Sequence, residues 1–406
     1  MSVSPFDPVR IGPLVLRNRF IKSGANEGMC VNGAPSKALV KHHRDLAEGG
    51  VGMTTVAYFA VSAAGRTLAN QIWLRQDILP ELRALADEVQ QAGAAISAQI
   101  THGGSFTQVP GNLVTPSASS GLNPAGMMQG NLFQRSMKEA DMELIAQDFV
   151  DAAQLCRTAG FNAVEIHMGH GYLLNQFISP LSNRRKDRYG GNAENRVRFP
   201  AQVLARVKEA VGKDLAVIAK INVADGVPGG ATVEDGIVTA QALEAAGADL
   251  LVLSGGRNME STWFMFGSPM NQEEFGKVLK DKPLARMLIK LSSLNTPKDL
   301  RFRNMYFLEY SRRIRAAVSM PLAYLGGVKS LADAEVAMRE GFDCVAMARA
   351  LIHDTGLVNK FRTGGVRASG CTNCNGCVPY IYDPAGTRCI LNPPNNPALN
   401  HIPASV

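Results

Sequence analysis

One alternation constrains this chain more than any other feature. Eight apolar runs of strand length recur along it: Phe20–Ala25, Val51–Ala60, Ala94–His102, Ala163–Met168, Leu215–Asn222, Leu250–Ser254, Pro321–Leu325 and Cys344–Arg349. Each is followed by an amphipathic stretch of helical period: Lys37–Glu48, Leu79–Gln91, Met142–Thr158, Glu194–Val211, Val233–Ala246, Met305–Val318, Leu331–Glu340 and Leu351–Phe361. Several of these end at glycine (Gly49-Gly50, Gly160, Gly247, Gly341), as helices returning to a sheet do. Near-continuous apolar runs mark strands buried on both faces. Eight such β–α units predict an α/β fold, a (β/α)8 TIM barrel. A doubly wound sheet is the competing architecture. It usually opens with G-x-G-x-x-G after the first strand, and Ser23–Gly28 (SGANEG) does not match.

Two segments stand outside the alternation. Residues 257–304 separate the sixth strand from the sixth helix, as an insertion of the length used for lids. Residues 366–406 form a C-terminal extension with four of the seven cysteines. The expected division is a barrel over 1–365 and an extension over 366–406. Hydrophobic residues make up 46% of the 406, which suits a large core and excludes a disordered chain. No run of about 18 apolar residues predicts a membrane span, and the start lacks a secretory pattern. A cytoplasmic protein is expected, so metal binding or catalysis suits the cysteines better than disulfides do.

The net charge of +7 is local. Residues 276–315 carry eleven Lys/Arg against three acids, a balance of +8. Such a patch suits an anionic small ligand at least as well as a polynucleotide, and a solvated helix face equally.

The chemistry of a barrel sits at the carboxyl ends of its strands. There the chain places Ser23-Gly24-Ala25, Gln99, His102, His167, His170, Tyr172, Lys220, Asn222, Gly326-Gly327 and Ala348-Arg349. His167 and His170 lie three apart on one strand-to-loop turn. Two imidazole N–H groups there could hold one carbonyl oxygen, and Tyr172 could deliver a proton. A metal reading would need a third ligand; His102 could offer one, but no carboxylate accompanies it at suitable spacing. Gly326, Gly327, Ala348 and Arg349 occupy the usual phosphate position of barrels. The spacing Cys371-x2-Cys374-x2-Cys377-x11-Cys389 is of metal type.

The stretch 160–199, GFNAVEIHMGHGYLLNQFISPLSNRRKDRYGGNAENRVRF, resembles the signature segment of the old yellow enzyme family, FMN-dependent ene reductases and NADH:flavin oxidoreductases on a (β/α)8 barrel. Similarity extends to Pro5–Pro8, Leu16–Arg19, Gln99–Gly103 and the Gly326 and Arg349 strands, so it spans about residues 5–392. The resemblance implies FMN as cofactor, NADH or NADPH as reductant and an α,β-unsaturated carbonyl compound as substrate. It implies that His167 and His170 bind the carbonyl and that Tyr172 supplies the proton. Gln99 would meet the flavin pyrimidine edge, Ser23, Gly24 and Ala25 would lie along the ring, and Ala57 would pack beside it. Gly326, Gly327, Ala348 and Arg349 would cradle the phosphate.

Lys220 stands where many relatives carry Arg, and Gly24 and Asn26 depart from the residues common in better-known branches. The four C-terminal cysteines resemble the [4Fe–4S] pattern of the 2,4-dienoyl-CoA reductase branch. Here the second gap is one residue shorter, and the flavodoxin-like and pyridine-nucleotide domains of that branch do not follow. A cluster, zinc and free thiols all remain open, as does a second function, an iron–sulfur flavoprotein of the dienoyl-CoA reductase or amine dehydrogenase type. A metal-dependent or Schiff-base lyase, favoured only by Lys220, is a third. The partners expected are an enone or enoate, anionic if the basic segment serves it, with no nucleic acid and no membrane; a homo-oligomer is an option.

Overall fold

The computed structural model describes residues 3–109, 113–127 and 130–392. Eight parallel strands close into a barrel. They are β1 (Phe20–Lys22), β2 (Met53–Ala60), β3 (Ala95–Thr101), β4 (Ala163–Met168), β5 (Ala216–Asn222), β6 (Leu250–Ser254), β7 (Leu322–Leu325) and β8 (Cys344–Met347). β8 pairs back onto β1 through Val345–Phe20 and Met347–Lys22, which closes the circle. The outer ring is α1 (Lys37–Glu48), α2 (Leu79–Gln91), α3 (Glu139–Thr158), α4 (Ala193–Val211), α5 (Val233–Ala245), α6 (Leu308–Arg315), α7 (Leu331–Arg339) and α8 (Leu357–Arg362). The chain is therefore a (β/α)8 barrel, as the alternation predicts.

Strand periodicity divides each strand between two cores. On β4, Val164, Ile166 and Met168 point outward into the shell shared with the helices, and Ala163 points to the axis. Burying one such aliphatic side chain is worth about 1.5–3 kcal/mol, so the repeated outward stripe is the main driving force for wrapping the helices around the barrel. At the lower end a hairpin, Val9–Ile11 with Leu14–Leu16, packs Val9, Ile11 and Leu16 beneath Ala163, Ala216, Ile218 and Leu250. The barrel is thus closed at its amino-terminal end, and the polar positions lie at the other.

The structure departs from the sequence reading in four places. β1 stops at Lys22 and β8 at Met347, so Ser23–Ala25, Ala348 and Arg349 lie beyond their strands. The eighth helix divides into a turn, Arg349–His353, and α8, with Asp354–Gly356 between them. The insertion 257–304 is not featureless: it holds helices Thr262–Phe266, Gln272–Val278 and Pro283–Ser292. A small sheet that the run pattern does not predict, Val114–Ser117, Gly121–Leu122 and Phe133–Ser136, follows β3. These segments are too short or too irregular to leave a periodic signature.

Four of the eleven basic residues of 276–315 pair with acids near the surface. Arg312 bridges to Glu309 and Glu340, Arg313 to Glu234, Arg315 to Asp343, and Lys277 to Glu273 and Glu274. The extension is tied to the barrel by hydrogen bonds. Lys329 Nζ donates to Cys371 O (2.8 Å), Asn375 Nδ2 to Pro269 O (2.8 Å), and Thr387 N to Glu27 O (2.7 Å). Residues 393–406 of that expected extension lie outside the described residues.

Candidate active site

The turn after β4 is fixed before any ligand is considered. Asn222 Oδ1 accepts from His170 N (3.2 Å), and Asn175 Oδ1 accepts from Gly171 N (2.9 Å). Buried Gln176 donates to Gly103 O and Gly171 O and accepts from Ser105 N and Ser117 Oγ. His170 sits at φ +61, a left-handed conformation that a non-glycine residue keeps only where its surroundings hold it. The basic residues downstream are structural. Arg185 donates to Ala118 O and Met137 O, and Arg196 to Ile178 O and Asp235. Much of the signature stretch therefore serves to hold the loop that carries the two histidines.

On that scaffold three rings meet. His167 lies edge-on to His170, with centroids 4.8 Å apart, and edge-on to Tyr172, also at 4.8 Å. Gly169 N donates to His167 Nδ1 (3.2 Å), so the His167 proton sits on Nε2. His170 Nε2 lies 2.8 Å from Ser254 Oγ; with the serine as donor, the His170 proton sits on Nδ1. Burial holds both imidazoles below their usual range, His170 at about 3, and the Lys220 charge adds to this. Both rings are therefore neutral donors at physiological pH. Burial also raises the Tyr172 phenol well above its usual value, so it keeps its proton. His102 stands apart: its Nδ1 accepts from Gly104 N (3.0 Å), which is a loop-closing role.

The residues expected to meet a flavin converge as well. Gln99 and Glu165 face each other across the β3–β4 register, and His167 and Lys220 across β4–β5. Gln99 Nε2 donates to Glu165, and Lys220 Nζ lies 3.1 Å from the same carboxylate. Lys220 also donates to Ser23 Oγ and Gly24 O, both at 3.1 Å. A Cβ on Gly24 would stand 2.6 Å from Gln99 Nε2, so only glycine lets the amide come this close. Ala25 follows Gly24 in the chain, and Ala57 N donates to Glu27 Oε2 (3.0 Å).

Four groups had no role in the sequence reading: Glu27 and Tyr58, and Lys22 and Glu165, which it placed at strand ends without assigning them one. Glu27 and Lys22 form a buried ion pair, with Lys22 Nζ also donating to Thr55 O (3.1 Å) and His43 Nε2 3.6 Å from Glu27. Burial pushes the Glu27 carboxyl up, but the Lys22 charge and His43 outweigh it and bring it to about 2. A charged residue inside an apolar strand run, as in FIK, was the available signal. For Glu165 it was the two-residue spacing from His167, which puts both on the inner face. Tyr58 Oη accepts from Tyr172 Oη (2.9 Å) and from Thr67 Oγ1 (2.8 Å).

The residues expected to cradle a phosphate are placed differently. Gly326 (φ +133) and Gly327 (φ +81) are covered by the chain at 303–307: a Cβ on Gly326 would meet the Phe307 ring at 2.8 Å, and one on Gly327 Tyr306 at 2.9 Å. Ala348 begins the Arg349–His353 turn. Arg349 does not stand open to a ligand: it donates to Phe266 O (2.7 Å), Ser268 Oγ (3.2 Å) and Asn375 Oδ1 (2.7 Å). All four C-terminal cysteines are free thiols, Cys371 and Cys389 buried, Cys377 half-buried and Cys374 exposed; His353 Nδ1 lies 3.3 Å from Cys389 Sγ. Among the described residues no three His, Cys, Asp or Glu side chains are gathered so as to hold a metal ion. The expected cluster or zinc site at Cys371, Cys374, Cys377 and Cys389 is not met by this geometry.

Residues 4–287 match the family described as NADH:flavin oxidoreductase / NADH oxidase. The chain belongs to that family. It is 39% identical to 4,4'-dithiodibutanoate disulfide reductase of Rhodococcus erythropolis, across 96% of this chain and 95% of that one. It is 31% identical to NADH oxidase of Thermoanaerobacter brockii, across 96% of this chain but only 56% of the other, and so spans about half the length of that relative. Among solved structures it resembles 2-naphthoyl-CoA reductase (TM-score 0.78, 24% identity, 96% of this chain and 57% of that one). It also resembles the old yellow enzyme homologue from Zymomonas mobilis (TM-score 0.69, 20% identity, 92% and 96%). At those identities the likeness speaks for the fold. The family member is an NAD(P)H-dependent flavin oxidoreductase, and its family supports FMN and NAD(P)H as its cofactors. The donor set fits the flavin: a carboxamide, an ammonium and a hydroxyl at one edge (Gln99, Lys220, Ser23) can serve the mixed donors and acceptors of a pyrimidine ring. Among the described residues no helix is long and apolar enough to cross a membrane.

Proposed function

We propose that the protein reduces the activated C=C bond of α,β-unsaturated carbonyl compounds at the expense of NAD(P)H. The observation that carries this reading is the pair of neutral imidazoles, His167 and His170, facing each other with Tyr172 against His167. Bound FMN would take hydride from the nicotinamide and supply it to the β-carbon of the alkene. His167 Nε2–H and His170 Nδ1–H would hold the substrate carbonyl oxygen and stabilise the charge that develops on it. Tyr172 would protonate the α-carbon, a role for which a phenol that keeps its proton is suited. Gln99, Lys220 and Ser23 would bind the flavin edge, with Gly24, Ala25 and Ala57 against the ring. Gly326, Gly327 and the Ala348 backbone would serve the phosphate, with Arg349 joining them on exchanging its present partners. One pocket serving nicotinamide and alkene in turn implies ping-pong kinetics.

The extent of identity to the Rhodococcus disulfide reductase favours a second reading, reduction of a small organic disulfide at the same site. An acceptor screen separates the two. The purified enzyme is bleached with NADPH or NADH without air, then mixed with cyclic enones, enoates or aliphatic disulfides. Reoxidation by enones supports the first reading; reoxidation by disulfides alone overturns it in favour of the second.

A further inference from the structure

The Tyr172 hydroxyl is not alone in the pocket. Tyr58 follows Ala57 on β2, and its hydroxyl lies 2.9 Å from that of Tyr172. The ring centroids are 5.4 Å apart, and the Tyr58 ring also stands edge-on to His167 at 6.4 Å. Tyr58 is held from behind. Thr67 Oγ1 donates to its hydroxyl (2.8 Å), Gln71 Oε1 accepts from Thr67 N (2.6 Å), and Gln71 Nε2 donates to Tyr58 O (2.9 Å). Thr67 and Gln71 are buried. This support comes from the loop after β2, which plays no part in the mechanism above.

A phenol that gives up its proton in a buried pocket becomes a phenolate that burial disfavours, unless a donor meets the new charge. As found, Tyr172 donates to Tyr58. Hydroxyls at this distance exchange donor and acceptor by turning about their C–O bonds. When the Tyr172 O–H turns to a substrate carbon, the Tyr58 O–H can turn from the Asn26 side chain to the Tyr172 oxygen, which the Asn258 side chain also meets, while Thr67 still serves Tyr58.

We propose that Tyr58 is a positioning residue for the protonation step: held by Thr67 and Gln71, it hands a hydrogen bond to the Tyr172 oxygen as that oxygen loses its proton. The inference rests on the ene-reductase reading of the same site. Hydride addition to the β-carbon leaves an enolate. The Tyr172 O–H bond breaks, an α-carbon C–H bond forms, and the electron pair left on the phenol oxygen is held by Tyr58 until water returns a proton as product departs.

The test is Tyr58→Phe in the FMN-loaded enzyme, with Thr67→Val as a second variant further back. Both half-reactions are followed by stopped flow, with 2-cyclohexenone as oxidant. Tyr58→Phe is expected to leave FMN content, thermal unfolding and reduction by NADPH unchanged. It should slow reoxidation by the enone about 10- to 100-fold, a fraction of what a general acid supplies. The solvent isotope effect on reoxidation should rise, and the alkaline limb of its pH profile should move up. Thr67→Val is expected to show the same changes in smaller measure. If wild-type enzyme is reoxidised by the enone and Tyr58→Phe matches it in rate, isotope effect and pH profile, the role of Tyr58 is overturned and the function stands. If wild-type enzyme is not reoxidised by the enone, the functional reading fails and takes this role with it.

Discussion

The two sides of the barrel mouth are built by different means. On the β1–β5 side, polar groups project from the strands, from the chain just beyond β1 or from the turn that ends β4, and they are paired: Lys22 with Glu27, Lys220 with Glu165, and His170 with Ser254 at the end of β6. On the β7–β8 side the positions just past the strands are glycine and alanine: Gly326, Gly327 and Ala348. The polar contacts there come from the insertion and the extension, which meet at Arg349, Ser268 and Asn375. The charges beyond them, such as Arg312 with Glu340, are largely open to solvent. A strand position fixes a side chain to a few ångströms; a long connection must be fixed by other long connections. The first side suits chemistry that depends on direction, the second suits holding and enclosing.

The largest expected effect lies on the first side. His167→Ala with His170→Ala should retain FMN yet lose enone reduction by more than the roughly 100- to 1000-fold typical of one lost oxyanion donor. Reduction by NADPH should suffer less. Flavin absorbance and the two half-reaction rates check this, and near-normal enone turnover would sink the assignment.

Next comes the buried pair. Glu27→Gln leaves the Lys22 ammonium without its counter-charge and should cost about 3–5 kcal/mol of stability. It also replaces the acceptor of Ala57 N, so FMN affinity should fall. Chemical denaturation with and without FMN measures both. A loss below about 1 kcal/mol would mean that Lys22 reaches water or another partner.

Acid should act on the same side. Burial holds His43, His102, His167 and His170 below their usual range, His102 at about 4 and His170 at about 3. A lowered histidine pKa means that the native state binds fewer protons than the unfolded chain. Stability is then complete above about pH 6.5 and falls as pH drops toward the folded values, each group contributing up to about 1.4 kcal/mol per pH unit. Glu27, at about 2, adds a further loss below the ordinary glutamate range of about 4.3. Melting temperatures between pH 7 and pH 4.5 should fall steadily, and His102→Gln should flatten the fall. A melting temperature independent of pH over that span would contradict the buried neutral state.

The smallest effects belong to the second side. Arg312→Gln and Arg313→Gln remove exposed ion pairs and should leave both unfolding and the Michaelis constant for an enoate unchanged, since such pairs contribute little. A marked loss of affinity for the enoate at low salt would restore the basic segment as a recruiting surface.

Much of the site was legible because it is local. His167, His170 and Tyr172 lie within six residues, and Glu165 could have been added from the two-residue period of a strand. Tyr58, 114 residues from its partner Tyr172, could not. Lys22 could have been added from its place in the apolar run Phe20–Lys22, but not its pairing with Glu27, a charge that in sequence looks equally at home in solvent.

The sequence by itself determined the architecture and the turn after β4 that carries His167, His170 and Tyr172, because strand and helix periods and a short motif are properties of neighbouring residues. Tertiary structure alone decided what each charge does. Lys220 meets Glu165 because β5 lies beside β4, and Arg349 meets Asn375 because the extension folds back over the barrel. Burial then makes those pairings and the neutrality of His167 and His170 compulsory, since an unpaired charge in so apolar a setting costs more than the fold can spare.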